Sequence, residues 1–365
     1  MKVVAKIGSS SITDGRGEVA VPAIQKLCAE VAGLRREGHR VVVVTSGAIA
    51  AGRPALGLHG DRATTDLETL QAISAVGQSR LMRVYDDALA GHGLISGQVL
   101  LAHSDFGHRD GYLHARATLA RLLDLGVIPV VNENDAIADD EIRWGDNDRL
   151  AALVANLVTA DLLVLLTDAP GIFSADPRVD ESASLIEEIG RFDHELERIA
   201  AGGSGTDRGS GGMATKLAAA KIAAWSGVRA VIAAADRPGV LAGAVAGQAG
   251  IGTVVHPRDR RLSARKLRIG FGLRAMGTIL VDDGARRALV ERQTSLLPAG
   301  IVGVEGRFDA GAAVEITDAA GRMFAKGLVR VGAAELRSAA GRKTSELPEG
   351  MPHEVVHRDD LVTLP

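Results

Sequence analysis

The sequence predicts an α/β protein, a mainly parallel sheet sandwiched by helices, followed by a small β-rich domain. Three observations carry this. Four short runs dominated by valine and leucine recur through the first half of the chain, and stretches of helical spacing separate them. Beyond residue 274 that rhythm stops, and short β-like pieces with turn signals replace it.

The runs are KVVAKIG (2–8), RVVVVTSG (40–47), VIPVVNEND (127–135) and LLVLLTD (162–168). They are too uniformly apolar for strands with one wet face, so they read as parallel strands buried on both faces. Between them, helical spacing runs over 21–38, where Pro22 suits a first turn and Gly38 a stop, and over 66–89, 115–126 and 147–160. A last unit of this kind pairs a helix over 211–227 with the strand VRAVIAAA (228–235). The domain boundaries expected are 1–256 for the α/β domain, 257–274 for a connector rich in arginine, and 275–365 for the β-rich domain. In the last, DAAG between VEIT and RMFAKGLV marks a hairpin turn.

Composition bounds the function. With 365 residues, 46% apolar and 24% charged, the chain can bury a large core. A net charge of −3 argues against a protein whose main role is coating nucleic acid. The single cysteine, Cys28, can make neither an internal disulfide nor a cysteine metal cage and reads as core. Lys2 and Lys6 interrupt the apolar N-terminus, and no window approaches a membrane span, so a cytoplasmic protein is expected. Only eight of the 42 basic residues are lysine, which draws notice to Lys6 and Lys216 beside glycine-rich turns, where a compact point charge suits a phosphate.

Ligands of an open parallel sheet gather at the carboxyl ends of its strands. There the sequence places Gly8-Ser9-Ser10-Ser11, Ser46-Gly47-Ala48, Asn132-Glu133-Asn134-Asp135 and Thr167-Asp168-Ala169-Pro170-Gly171. Any one of these is an ordinary turn composition; four together are a site. The segment WGDNDRL adds Asp146, Asn147 and Asp148 ahead of a helix, with Asn147 or Asp148 a candidate N-cap. With Asp135 they form an acidic patch suited to gripping an ammonium group or to organising magnesium. GSGTDRGSGGMATK (203–216) lacks the residue order of a nucleotide P-loop, because Thr215 precedes Lys216 where that motif needs glycine. Its Gly211 and Gly212 instead open a helix whose N–H groups and positive dipole end favour an anion, with Lys216 about one turn inside. Together the pieces suit phosphoryl transfer, in which a protein positions groups and neutralises charge. A carboxylate acceptor would need no general base, being ionised at neutral pH.

KIGSS, VTSGAIAAGR, AVGQSRLM, VVNENDAIA, WGDNDRLAAL, LLTDAPGIFSADPR and GSGGMATKLAAAKIA closely resemble the glutamate 5-kinases of the amino-acid kinase superfamily, and the C-terminal region resembles a PUA domain. The resemblance implies the amino-acid kinase fold and ATP- and Mg2+-dependent phosphorylation of L-glutamate to glutamate 5-phosphate, with proline as feedback inhibitor. It implies Lys6 and Lys216 as the catalytic pair. Ser46, Gly47, Asp135 and Asn147, with Asp146 and Asp148 nearby, become the glutamate site. ATP falls to Lys6, Gly8, Ser9, Thr167, Asp168, Ser210, Gly211, Gly212, Met213, Ala214, Thr215 and Lys216. Ala214 departs from the serine common in the family. A homo-oligomer is expected and no membrane partner. RNA binding through the PUA domain is the rival reading. It is disfavoured by 11 basic against 13 acidic residues over 275–365, with Phe308 and Phe324 the only aromatics there.

Overall fold

The computed structural model of the chain describes residues 1–58, 66–102, 105–106, 109–137, 146–175, 177, 179–190, 192, 196, 199, 211–258 and 261–364. It divides into two units, Met1–Arg261 and Leu262–Pro365. Among the described residues no helix is long and apolar enough to cross a membrane.

In the first unit, β1 (Lys2–Ile7), β2 (Arg40–Val44), β3 (Ser96–Leu101), β4 (Ile128–Glu133), β5 (Leu162–Thr167), β6 (Glu188–Ile189), β7 (Arg229–Ala234) and β8 (Thr253–Val255) form one sheet. Its order is β3-β4-β2-β1-β5-β7-β8-β6. Every described pairing is parallel except β7 with β8. The four apolar runs are four adjacent interior strands, β4-β2-β1-β5, and β5 is buried at all six positions, as strands covered on both faces must be. β3 escaped the sequence reading for the opposite reason. It is the edge strand, most of its residues are at least partly exposed, and SGQVLL carries no apolar run.

The covering helices include α1 (Ser9–Ile12), α2 (Val21–Arg36), α3 (Ala48–Gly52), α4 (Leu67–Ala90), α5 (Arg109–Asp124), α6 (Asp146–Leu157) and α7 (Gly211–Trp225). Ile24, Leu27, Val31 and Leu34 of α2, at helical spacing, join Val41 and Val43 of β2 in the core, and Cys28 is buried with them. α3 and α4 approach so closely that a Cβ added at Gly77 would lie 1.8 Å from the Ala48 carbonyl oxygen, and one at Gly52 2.0 Å from that of Ile73. Only glycine permits that contact, which ties the loop after β2 to the long helix behind it.

In the second unit β9 (Ala275–Val281), β10 (Ile301–Gly306), β11 (Ala313–Thr317), β12 (Met323–Val329) and β13 (Val356–Thr363) form a sheet of order β10-β9-β11-β12-β13. β11 and β12 are the antiparallel arms of the expected hairpin, and the Asp318 carboxylate accepts from the N–H groups of Ala320 and Arg322 to shape its turn. Residues 264–272, read from the sequence as part of the arginine-rich connector, are helical and belong to this unit, with Leu267 and Ile269 buried. The arginines dominate that stretch's composition, but the apolar residues between them decide where it packs.

Candidate active site

β1 sits between β2 and β5, the place where the strand order reverses direction. Lys6 is opposite Val44 on one side and Leu165 on the other, so the strands' carboxyl ends open along one edge. Such a switch point is where an open α/β sheet offers a crevice. The loops after β1, β2, β4 and β5 are collected there by topology, though they lie far apart in sequence.

The charged centre is a carboxylate shared by two lysines. Asp148, in the first turn of α6, is 1% exposed. Its Oδ1 is 2.5 Å from Lys6 Nζ and its Oδ2 3.3 Å from Lys216 Nζ. Thr215 Oγ1 lies 2.9 Å from the same Oδ2 and 3.0 Å from the Gly212 carbonyl oxygen, two acceptors for its single proton, and Lys216 Nζ donates to that carbonyl at 3.1 Å. The Asp148 carboxylate also sits in the first turn of its own helix, at the positive end of the helix dipole. Burial pushes the Lys6 ammonium below the ordinary lysine range, and the Lys216 charge adds to that push while Asp148 opposes it. Two ammonium groups against one carboxylate leave an excess positive charge in a dry setting, a ready attraction for a phosphoryl group.

Beside this centre lies a polar chain. Asn147 Nδ2 donates to Ser46 Oγ at 3.0 Å and to Asn132 Oδ1 at 3.2 Å, while Asn147 Oδ1 accepts from the Glu133 N–H at 3.3 Å. Asn132 Nδ2 in turn donates to Gln78 Oε1 at 2.9 Å. Asp135 accepts from Ser74 Oγ at 2.9 Å. Gly47 holds φ +99, a left-handed conformation that favours glycine, and a Cβ there would meet Ile12 Cδ1 at 2.7 Å. Behind it the buried Thr45 and Tyr85 hydroxyls share a hydrogen bond of 2.7 Å. Burial drives the Tyr85 phenol well above its usual value, so it stays neutral.

On the other flank Gly8 precedes Ser9 at the start of α1, and a Cβ at Gly8 would lie 3.3 Å from Lys6 Nζ. Thr167, at the end of β5, donates to Asp168 Oδ1 at 2.9 Å. Gly211, Gly212, Met213, Ala214 and Thr215 form the first turn and more of α7, leading to Lys216. Ser210 lies outside the described residues.

The sequence reading placed Asp148 in an ammonium-binding patch with Asp135. The two are separated in role: Asp148 spends both carboxylate oxygens on Lys6, Lys216 and Thr215, whereas Asp135 is held by Ser74. Asp146 opens α6. Ser74, Gln78 and Tyr85 went unread, because α4 looks like an ordinary amphipathic helix. The available signal was a pair of polar residues, Ser74 and Gln78, spaced i, i+4 on a face otherwise filled by Ile73, Gly77 and Leu81.

A parallel α/β sheet with two buried lysines clasped to one carboxylate at its switch point defines a phosphotransferase. The chain belongs to the amino acid kinase family, whose model matches residues 1–234, and residues 277–351 match the PUA domain. It is similar along its whole length to proteins named glutamate 5-kinase. That of Citrifermentans bemidjiense is 47% identical over 368 residues, covering 100% of this chain and 97% of that protein. That of Pelobacter propionicus is 45% identical over 367 residues, again 100% of this chain and 97% of the other. Among solved structures, the product complex of T. acidophilum isopentenyl phosphate kinase superposes with a TM-score of 0.50 at 22% identity, over 70% of this chain and 100% of that one, a likeness of fold.

Proposed function

We propose that the protein transfers the γ-phosphoryl group of ATP to the side-chain carboxylate of L-glutamate, forming glutamate 5-phosphate and ADP, the first step of proline synthesis. The observation that carries the reading is the pair Lys6 and Lys216 on buried Asp148, with the Ser46–Asn147–Asn132 chain beside it. A carboxylate oxygen of the acceptor forms the new bond to phosphorus as the bond to the ADP oxygen breaks, and no proton has to be removed from an acid ionised at neutral pH. Lys6 and Lys216 neutralise charge spread over the phosphoryl oxygens in transit. Asp148 acts through them, fixing both ammonium groups in one place.

Ser46, Gly47, Asp135 and Asn147 hold glutamate, Asp135 meeting its ammonium group. Gly8, Ser9, Thr167, Asp168 and the turn from Gly211 to Lys216 hold the nucleotide. Magnesium fits this site as part of the nucleotide substrate. Among the described residues no cluster of three or more acidic, histidine or cysteine side chains is arranged for an ion, and Asp148 is engaged by lysines. Phosphate oxygens and water, which the ion prefers, would supply its ligands. Proline, sharing glutamate's α-ammonium and α-carboxylate, competes for the same pocket and acts as an inhibitor.

The test is ATP consumption with magnesium and a panel of acids, the acyl phosphate being trapped by hydroxylamine as a hydroxamate. Glutamate gives the product, N-acetylglutamate does not, and Lys216→Ala lowers turnover on the order of 10²- to 10³-fold, the cost of one preorganised electrostatic group. Equal rates on the acetylated acid would refute the role of Asp135, and wild-type turnover in Lys216→Ala would refute that of Lys216.

A further inference from the structure

α4 turns two polar side chains, one helical turn apart, toward the end of β4 and the loop after it. Ser74 donates to Asp135, and Gln78 Oε1 accepts from Asn132 Nδ2. The orientation of that second pair is fixed by the backbone. Asn132 Oδ1 accepts the Glu133 N–H at 2.9 Å, so Nδ2 must be the atom facing Gln78, and the atom of Gln78 that receives it must be its oxygen. Gln78 Nε2 is then left over. The residue is only 8% exposed, and this nitrogen has no hydrogen-bond partner among the described residues. A buried amide donor without an acceptor costs free energy that a bound acceptor would return.

The donor stands on the acceptor's side of the site. Gln78 touches the end of β4, which is two strands from β1 and therefore roughly 10 Å across the sheet from the strand that carries Lys6. The reacting carboxylate must reach Lys6 and Lys216, so the acceptor beside Gln78 is a different group of the same substrate. An apolar or cationic group would leave the N–H unsatisfied. We propose that Gln78 is a specificity residue whose Nε2–H binds the carboxylate of the substrate that does not react, the α-carboxylate if the acid is glutamate. This rests on the reading of the acceptor given above and adds to it a residue and a rule: acids lacking that second carboxylate are selected against by Gln78.

Gln78→Glu separates contact from positioning, because its carboxylate still accepts from Asn132 but offers no N–H to the substrate. Expected is a rise in KM for glutamate of at least on the order of 10- to 100-fold, from the loss of one hydrogen bond to a charged group and the repulsion of two carboxylates, with KM for ATP unchanged. 4-Aminobutyrate, which keeps the reacting carboxylate and the ammonium but lacks the α-carboxylate, serves as the control acid. Its kcat/KM should change by less than threefold, so that the wild-type preference for glutamate collapses. If Gln78→Glu behaves as wild type, or if both acids lose equally, Gln78 only positions Asn132 and the proposal is wrong. Should that variant fail to fold, Gln78→Met is compared on the same two acids, with an unequal loss supporting the proposal and an equal one overturning it. A wild-type enzyme inert toward glutamate would instead indict the substrate reading. The comparison would then be made on whichever panel acid is phosphorylated, against its analogue lacking the second carboxylate.

Discussion

Replacing Asp148 by asparagine removes the negative charge that two buried ammonium groups share, with almost no change in shape. At an effective dielectric of ~20, the separations of 2.5 Å and 3.3 Å correspond to attractions of roughly 7 and roughly 5 kcal/mol for Lys6 and Lys216. Much of this is cancelled by the desolvation of the carboxylate itself, so breaking such a buried arrangement costs about 3–5 kcal/mol net. The lysines also lose their reason to converge. Lys6 already titrates below the ordinary lysine range because of burial and the Lys216 charge, with Asp148 working against both, so in Asp148→Asn it moves lower still. Two assays follow. Thermal unfolding without ligand should show a large loss of Tm, partly recovered by MgATP, whose phosphates replace the missing negative charge. That recovery should exceed the wild-type shift, which at a hundredfold excess over Kd is worth about 2.7 kcal/mol. The hydroxamate assay should show turnover reduced at least about 10²-fold, with the alkaline limb of its pH profile displaced to lower pH. Because the folded value of Lys6 is depressed, the unfolded chain holds the proton more tightly. Lys6 therefore costs stability at low pH, and the cost fades as pH climbs from its folded value through the ordinary lysine value. In the variant that window extends further down. An Asp148→Asn protein with wild-type Tm and wild-type turnover would show that the lysines are placed by something else.

Gly77→Ala puts a methyl group 1.8 Å from the Ala48 carbonyl oxygen, so α3 and α4 must separate. The expected loss is about 1–3 kcal/mol in denaturant unfolding, together with a raised KM for the acid because the Ser46–Gly47 turn moves with α3. A variant as stable as wild type would mean that the helices part without strain. Tyr85→Phe deletes the hydroxyl that pairs with Thr45, whose own hydroxyl keeps the Ser46 carbonyl as an acceptor, so the loss is that of one net hydrogen bond, about 0.5–1.5 kcal/mol. Since Tyr85 stays neutral, its replacement should leave the pH profile of turnover unmoved, and a shifted profile would contradict that.

Burial on both faces writes itself into a strand as an unbroken apolar run, and for that reason β1, β2, β4 and β5 were legible from residue order alone. So were the polar turns that follow them, since a turn's chemistry is local. The glycines at the head of α7 and the lysine one turn inside it were readable for the same reason. What could not be read were relations across the sheet. Asp148 looked like a neighbour of Asn147 in an acidic patch, and nothing within its own segment announces Lys216, 68 residues on, or Lys6 near the start of the chain. Their meeting depends on β1 lying between β2 and β5, a fact of strand order. Ser74 and Gln78 remained hidden because a polar residue on a helix reads as surface until the loop it faces is known. The sequence by itself determined the buried strands and the main helices between them, the chemistry available at their ends and the two lysines, because periodicity and composition act over a turn or a strand. Only the tertiary structure decided which carboxylate serves the lysines and which amide has a donor to spare. Partners brought together by parallel pairing are remote in the chain, and no local pattern records the distance between them.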